Sequence, residues 1–249
     1  MKQILHILVV DDDPSMTKTL VDILHAKGYR AEMANSGPEA LEKVRAARPD
    51  FVISDIKMPD VNGVALYRNI KSQHPDVPVV LMTAYSDDLL VREGLEAGAI
   101  AALNKPLDIK LLLDFLLYLQ HEERTVLIVD DDSRFCVTLG EILQRKDFSV
   151  KLVNSPKEVM ASITATEEIV LLDLKLNSVG GIKVLREIRQ HYPEMPVVLI
   201  TGHQEEMEQA IETALALGAH TCLYKPFDVD QLLEVLTDIH HQQLSSRLR

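Results

Sequence analysis

Ile7-Leu8-Val9-Val10-Asp11-Asp12-Asp13 is an apolar run that ends in three acids, and Leu127-Ile128-Val129-Asp130-Asp131-Asp132 writes the same phrase again. A second apolar run ends in a single aspartate, at Val52-Ile53-Ser54-Asp55 and at Val170-Leu171-Leu172-Asp173. A third ends in threonine, at Val79-Val80-Leu81-Met82-Thr83 and at Val197-Val198-Leu199-Ile200-Thr201. Lys105-Pro106 and Lys225-Pro226 close each copy. The copies are offset by 119 residues at Asp12 and Asp131, 118 at Asp55 and Asp173, 118 at Thr83 and Thr201, and 120 at Lys105 and Lys225. Four different markers in one order at nearly one offset define a repeat of whole domains, since small-unit solenoids repeat at 20–50 residues. We expect one domain over 1–121 and a second over 124–249.

The runs are short, nearly continuous and aliphatic, and amphipathic stretches separate them. Strands are expected near 4–10, 29–33, 50–54, 78–82 and 100–103, with helices near 14–27, 37–47, 63–73, 86–97 and 108–121. The second copy repeats the order, with strands near 125–129, 148–152, 168–172, 196–200 and 220–223 and helices near 133–146, 155–165, 180–190, 204–217 and 228–244. Ser36 followed by Glu39 opens a helix as a capping box, and Gly28 and Gly98 stand where helices stop. Strands that alternate with helices and are apolar on both faces belong to an α/β fold with a parallel sheet covered on both sides. Such sheets carry their ligands at the carboxyl ends of the strands, which is where every marker falls.

Composition narrows the function. The chain has 249 residues, 47% hydrophobic and 4% aromatic with no Trp, enough for two aliphatic cores. Its net charge is −12, with 13 basic against 19 acidic residues in 1–123 and the same in 124–249, so each half carries −6. Without clustered Lys and Arg, direct nucleic-acid binding is not expected. No apolar stretch is long enough for a membrane span, and no signal peptide is expected. Cys136 and Cys222 give neither a disulfide framework nor metal-ligand spacing, which suits a reducing cytoplasm. His121-Glu122-Glu123-Arg124 is a short linker without Gly or Ser, so freely tumbling domains are not expected. Residues 111–119 are apolar at eight of nine positions. That is more than one stripe against a sheet requires, so the surplus face should pack on the other domain or on a second chain, a possible homodimer through helix 108–121.

The markers also suggest chemistry. Asp11, Asp12 and Asp55 would bring three carboxylates together, an arrangement that like-charge repulsion disfavours unless a cation joins them. Oxygen-only ligands suit Mg²⁺. Asp55, ending the middle strand, is the natural nucleophile for an aspartyl phosphate. Lys105 and the Thr83 hydroxyl can take phosphoryl oxygens. Asp130, Asp131, Asp173, Thr201 and Lys225 offer the same parts. Asp13 and Asp132 are expected as helix caps or as groups behind the metal ligands rather than as ligands themselves, and His240-His241 as surface histidines.

On these residues both halves resemble receiver domains of bacterial two-component response regulators, over almost the whole chain. The resemblance implies two (βα)5 flavodoxin-like, doubly wound domains, each with a five-stranded parallel sheet in the order 2-1-3-4-5. It implies one Mg²⁺ per domain on Asp11, Asp12 and Asp55, and on Asp130, Asp131 and Asp173, joined by the backbone carbonyls of Lys57 and Lys175. It implies phospho-acceptance by Asp55 and Asp173, a switch hydroxyl at Thr83 and Thr201, and a phosphate-binding lysine at Lys105 and Lys225. The phosphoryl donor would be a sensor histidine kinase or a histidine phosphotransfer protein. The output would be altered protein–protein contact with an effector protein, or with an effector domain of a longer chain such as a nucleotide cyclase, hybrid kinase or DNA-binding regulator. A scaffold with one silent receiver is the remaining alternative. No enzymatic activity beyond self-phosphorylation and self-dephosphorylation is expected.

The stretch Asp55-Ile56-Lys57-Met58-Pro59-Asp60-Val61-Asn62-Gly63 is close to the family's wording, whereas Asp173-Leu174-Lys175-Leu176-Asn177-Ser178-Val179-Gly180-Gly181 lacks Met-Pro, for which we expect retained chemistry and different loop dynamics. Ala102 and Cys222 stand where many receivers carry an aromatic rotamer switch. Tyr224 is expected to point to the opposite face from Lys225. Tyr85 and His203, two residues past each threonine, hold a position that tunes phosphoryl lifetime in receivers. Haloacid-dehalogenase-like phosphatases need a second acid where Lys57 and Lys175 stand, and nucleotide-binding folds need a Gly-rich loop where the acids stand; both are disfavoured.

Overall fold

The structure, a computed structural model, describes residues 4–84, 89–121, 124–164, 167–176, 180–202 and 204–248. Tyr85, His203, Glu122, Glu123 and the 177–179 loop, singled out above, lie outside them. The chain forms two compact units, Met1–Glu122 with His241–Arg249, and Glu123–His240.

In the first unit β1 (His6–Val10), β2 (Arg30–Ala34), β3 (Phe51–Asp55), β4 (Val79–Thr83) and β5 (Ala101–Asn104) alternate with α1 (Pro14–Ala26), α2 (Gly37–Ala46), α3 (Gly63–Gln73), α4 (Leu89–Glu96) and α5 (Ile109–His121). All strand pairs are parallel, in the order β2-β1-β3-β4-β5. β1, β3 and β4 are buried at every position, as strands covered on both faces must be. One core cluster gathers Ile7, Val9, Phe51 and Ile53 with α1 and α5; another gathers Leu8, Val10, Val52 and Leu81 with α2 and α3. Alternate residues of each strand thus feed opposite faces.

The second unit repeats this with β6 (Thr125–Val129), β7 (Ser149–Val153), β8 (Glu167–Asp173), β9 (Val197–Thr201) and β10 (Thr221–Tyr224), ordered β7-β6-β8-β9-β10. Its helices are α6 (Ser133–Gln144), α7 (Val159–Ser162), α8 (Gly181–His191), α9 (Gln204–Ala216) and α10 (Val229–Arg247). The expected fold class and strand order are those observed.

Three expectations need correction. The helix expected over 155–165 is only a 3-10 turn at Pro156–Glu158 followed by the four-residue α7. In the first unit Ser36 Oγ accepts from the Glu39 backbone N–H at 3.2 Å and Glu39 accepts from the Asn35 backbone N–H at 2.8 Å. Ser155 makes no such cap, and Ser162 and Thr164 stand where α2 has the better helix formers Lys43 and Arg45.

His240 and His241 are buried, not at the surface. His241 belongs with the first unit, where its Nδ1 lies 2.9 Å from Lys71 Nζ. The nine C-terminal residues also depart from the expected span of the second domain. Leu244 and Leu248 are buried in the first unit's core cluster with Phe115 and Leu116, and the Arg247 guanidinium lies 4.4 Å over the Tyr118 ring. Part of the surplus apolar face of α5 is therefore covered within the first unit, while Leu117 stays 47% exposed.

Truncating a fully buried leucine leaves a cavity that costs about 2–4 kcal/mol. Leu244→Ala should accordingly speed amide hydrogen exchange across Leu112–Leu116 and leave β8 and β9 unchanged. Equal protection of α5 in both proteins would show that the segment contributes nothing to it.

Candidate functional site

The reversal of strand order lies between β1 and β3, where the chain leaves β1 for β2 on one side and later enters β3 on the other. Asp11 follows β1 and Asp55 ends β3, so topology alone brings two carboxylates to one edge. One oxygen each of Asp11, Asp12 and Asp55 lie within 4.8 Å of one another, and so do those of Asp130, Asp131 and Asp173. Asp11, Asp55, Asp130 and Asp173 are buried, Asp131 is half-buried and Asp12 is exposed. Thr83 and Thr201 are buried at the ends of β4 and β9. The Lys105 backbone N–H donates to the Thr83 carbonyl at 2.7 Å, and Lys225 does the same to Thr201. These bonds tie each lysine loop to its threonine strand. Lys57 and Lys175 lie in the exposed loops after β3 and β8. The Lys175 backbone N–H hydrogen-bonds the Asp173 carboxylate.

The loops after β1 and β6 are fixed by their own carboxylates. Asp13 accepts from the Ser15 N–H at 2.8 Å, and Asp132 from the Arg134 N–H at 2.9 Å, so both cap α1 and α6 as expected. Asp11 Oδ1 accepts from the Asp13 N–H at 3.0 Å, and Asp130 Oδ1 from Asp132 at 2.8 Å. Asn35 and Asn154 escaped the sequence reading. The Asn35 amide donates to the Asp11 carbonyl at 3.1 Å and to Thr17 Oγ1 at 2.9 Å; the Asn154 amide donates to the Asp130 carbonyl at 2.8 Å. Their offset of 119 residues matches that of Asp12 and Asp131, which is the signal that could have found them.

Gly63 and Gly181 open α3 and α8 against the ends of β3 and β8. A Cβ on Gly63 would stand 2.3 Å from the Asp55 carbonyl oxygen, and one on Gly181 2.5 Å from that of Asp173. These contacts are backbone against backbone, so only glycine permits the approach.

The two lysines differ. Lys105 Nζ is 2.6 Å from Asp11 Oδ2 and 2.8 Å from Asp55 Oδ1. Lys225 Nζ is 2.5 Å from Asp130 Oδ2 but 3.8 Å from Asp173 Oδ1. Burial opposes the Lys105 charge, yet its hydrogen bonds to Asp11 and Asp55 outweigh this and hold it above the ordinary lysine value. Burial pushes the Asp55 carboxyl above its usual range; Lys105 offsets part of this, while the charges of Asp11 and Asp12 add to it. Burial pushes Asp173 up to about 6, with Lys225 opposing and Asp130 adding. One ammonium against three close carboxylates leaves excess negative charge. The donors are all hard oxygens, so each cluster fits a hard divalent cation.

Residues 7–116 and 126–237 each match the response regulator receiver domain family, and the chain belongs to that family. Over 243 residues it is 29% identical to a response regulator receiver protein of Anaeromyxobacter sp. (strain Fw109-5), covering 95% of each chain. It is 46% identical over 102 residues to the transcriptional regulatory protein ZraR of Klebsiella oxytoca, which is 41% of this chain but only 23% of that protein. The solved structure of a chemotaxis response regulator of Vibrio cholerae is 32% identical and matches 47% of this chain and 99% of its own, at a TM-score of 0.44. Among the described residues no helix is long and apolar enough to cross a membrane.

The raised Asp173 value sets a pH dependence. Because its folded value of about 6 exceeds the usual 3.8, the folded state binds the proton more tightly. The penalty on the ionised form is absent below pH 3.8, grows through the window and is complete above pH 6, so stability falls as pH rises. Asp173→Asn removes that penalty. It should stabilise the metal-free protein by about 1–2 kcal/mol at pH 7.5 and hardly at all at pH 3.8 or below, as read by urea unfolding. A second prediction concerns the glycines: Gly63→Ala should cost about 1–3 kcal/mol through overpacking and shift the Asp55 and Ile56 amide resonances, whereas Ala at the open position of Gly180 should shift neither Asp173 nor Leu174.

Proposed function

We propose that each domain accepts a phosphoryl group on one aspartate, Asp55 or Asp173. The observation that carries this is the lysine salt-bridged to one aspartate beside two further acids, at the switch point between β1 and β3 in one copy and between β6 and β8 in the other. A carboxylate oxygen of Asp55 would attack phosphorus as the P–N bond of a phosphohistidine donor breaks, and the imidazole nitrogen leaves with the electron pair. Lys105 would then exchange its contact with the carboxylate for one with a phosphoryl oxygen, and the Thr83 hydroxyl would donate to another. Mg²⁺, held by Asp11, Asp12, Asp55 and the Lys57 carbonyl, would neutralise charge on the transferring group; Asp130, Asp131, Asp173 and the Lys175 carbonyl would serve in the second domain.

The donor is a histidine kinase or a histidine phosphotransfer protein. The chemistry is confined to the chain's own phosphorylation and dephosphorylation. With Ala102 and Cys222 at the aromatic position, the signal would leave through the threonine and the loops rather than through a ring. Its recipient is an effector protein or an effector domain. The match to ZraR, which spans only part of that regulator, supports a role of this kind.

Incubation with Mg²⁺ and acetyl phosphate should add two phosphoryl groups by intact mass, and Asp55→Asn and Asp173→Asn should each remove one. A single addition would make the unlabelled domain a scaffold, and none would count against phospho-acceptance from a small donor in both.

A further inference from the structure

The two sites are alike in their acids and unlike in what stands behind the lysine. Lys225 Nζ lies 4.1 Å from the centroid of the Phe135 ring. Phe135 is the third residue of α6, and the matching third residue of α1 is Met16. The Phe135 ring meets Phe227 edge to face, with centroids 6.1 Å apart and planes at 89°. Phe227 follows Lys225 by two residues, where the first domain has Leu107. Together with Pro226 and Leu139 these side chains line an open pocket of about 390 Å³. An ammonium over a ring face within about 6 Å is held by the ring quadrupole, and an edge-to-face partner is a favoured way to brace such a ring. Lys225, with the ring, is 3.8 Å from Asp173 Oδ1; Lys105, whose domain carries methionine at the matching helix position, is 2.8 Å from Asp55 Oδ1.

We propose that Phe135 is a positioning residue of the second site. Its ring holds the Lys225 ammonium against Asp130 and back from Asp173, which slows phosphoryl acceptance there. This rests on the phospho-acceptor reading, in which Lys225 must move to the incoming phosphoryl group; the attraction of the ring opposes that move. No bond to the ring is made or broken.

The test uses the full chain. In the wild type the Lys225 ε-methylene protons should be shifted upfield by the ring, and Phe135→Met and Phe135→Leu should return them to ordinary lysine positions with Lys105 unchanged. With Mg²⁺ and acetyl phosphate, intact-mass rates are then compared in Asp55→Asn and Asp173→Asn backgrounds. Acceptance at Asp173 should rise about two- to fivefold in both Phe135 variants, the worth of one partly exposed cation–π contact, while Asp55 keeps its rate. Met16→Phe should slow Asp55 by a similar factor.

An unshifted Lys225 resonance in the wild type, or one unaffected by Phe135→Leu, would overturn the placement. A shifted resonance with unchanged Asp173 rates, or with equal changes at both acceptors, would overturn the positioning role. If Asp173 takes no phosphoryl group in any variant while Asp55 does, the acceptor reading of the second site has failed, and the resonance still decides where the ring holds the lysine.

Discussion

Like charges forced together at the end of a sheet govern how this molecule is built. Doubly wound topology delivers the ends of β1 and β3 to the same point, and each end carries an aspartate that the flanking helices shield from water. Ionised carboxylates resist both burial and one another, and Asp55 and Asp173 are accordingly displaced towards their neutral forms. The fold tolerates this because the surrounding backbone is committed to the acids. The Asp13 and Asp132 N–H groups donate to Asp11 and Asp130, Asn35 and Asn154 hold the carbonyls of the same two residues, and one lysine reaches in from the end of β5 or β10. What is left over is negative charge in a cluster of hard oxygens, the condition under which a divalent cation and a phosphoryl group bind together.

The copies diverge in the supports rather than in the acids. Thr17, hydrogen-bonded to Asn35, becomes Cys136 beside Asn154. Burial raises the Cys136 thiol to about 11, with Asp130 adding to the effect, so it behaves as a packing residue and not as a thiolate. The capped ten-residue α2 becomes a turn and a four-residue α7. Met16 at the third position of α1 becomes Phe135 at the third position of α6. Each exchange leaves the charges in place and alters the stiffness or direction of what holds them. Two sites with the same acids can differ by such means, since the lysines stand 2.8 and 3.8 Å from their aspartates and a displacement of about 1 Å is large on the scale of positioning.

Much of the architecture was legible in the residues. Parallel strands buried on both faces read as continuous aliphatic runs, and regular alternation of such strands with helices points to a parallel sheet covered on both sides. The site was legible for a related reason. In such a sheet ligands meet the carboxyl ends of strands, and the acids, the threonine and the lysine of each copy all fall there. Asp11, Asp55, Thr83 and Lys105 could therefore be placed together before any contact was known. The doubled sequence strengthened the placement, because chance does not preserve four spacings.

Other features depend on three-dimensional contact and leave no periodic trace. Asn35 and Asn154 are ordinary strand-end residues until their amides are seen against the carbonyls after β1 and β6. The failure of the helix at 155–165 turned on a cap that Ser155 has the right identity to make and does not make. His240 and His241 read as polar helix residues, yet burial around the C-terminal segment takes them out of water, and Leu244 and Leu248 complete a core whose other members precede them by more than 120 residues. The reach of Lys225 to Phe135 joins a helix start to a strand end some 90 positions away. The sequence alone determined the alternation of strands and helices and the acids at the strand ends, because these follow from local pattern and from one topological rule, and the family resemblance added the strand order. Only the tertiary structure decided which face α5 covers and where each lysine rests, because those depend on competition among side chains that meet only after the chain has folded.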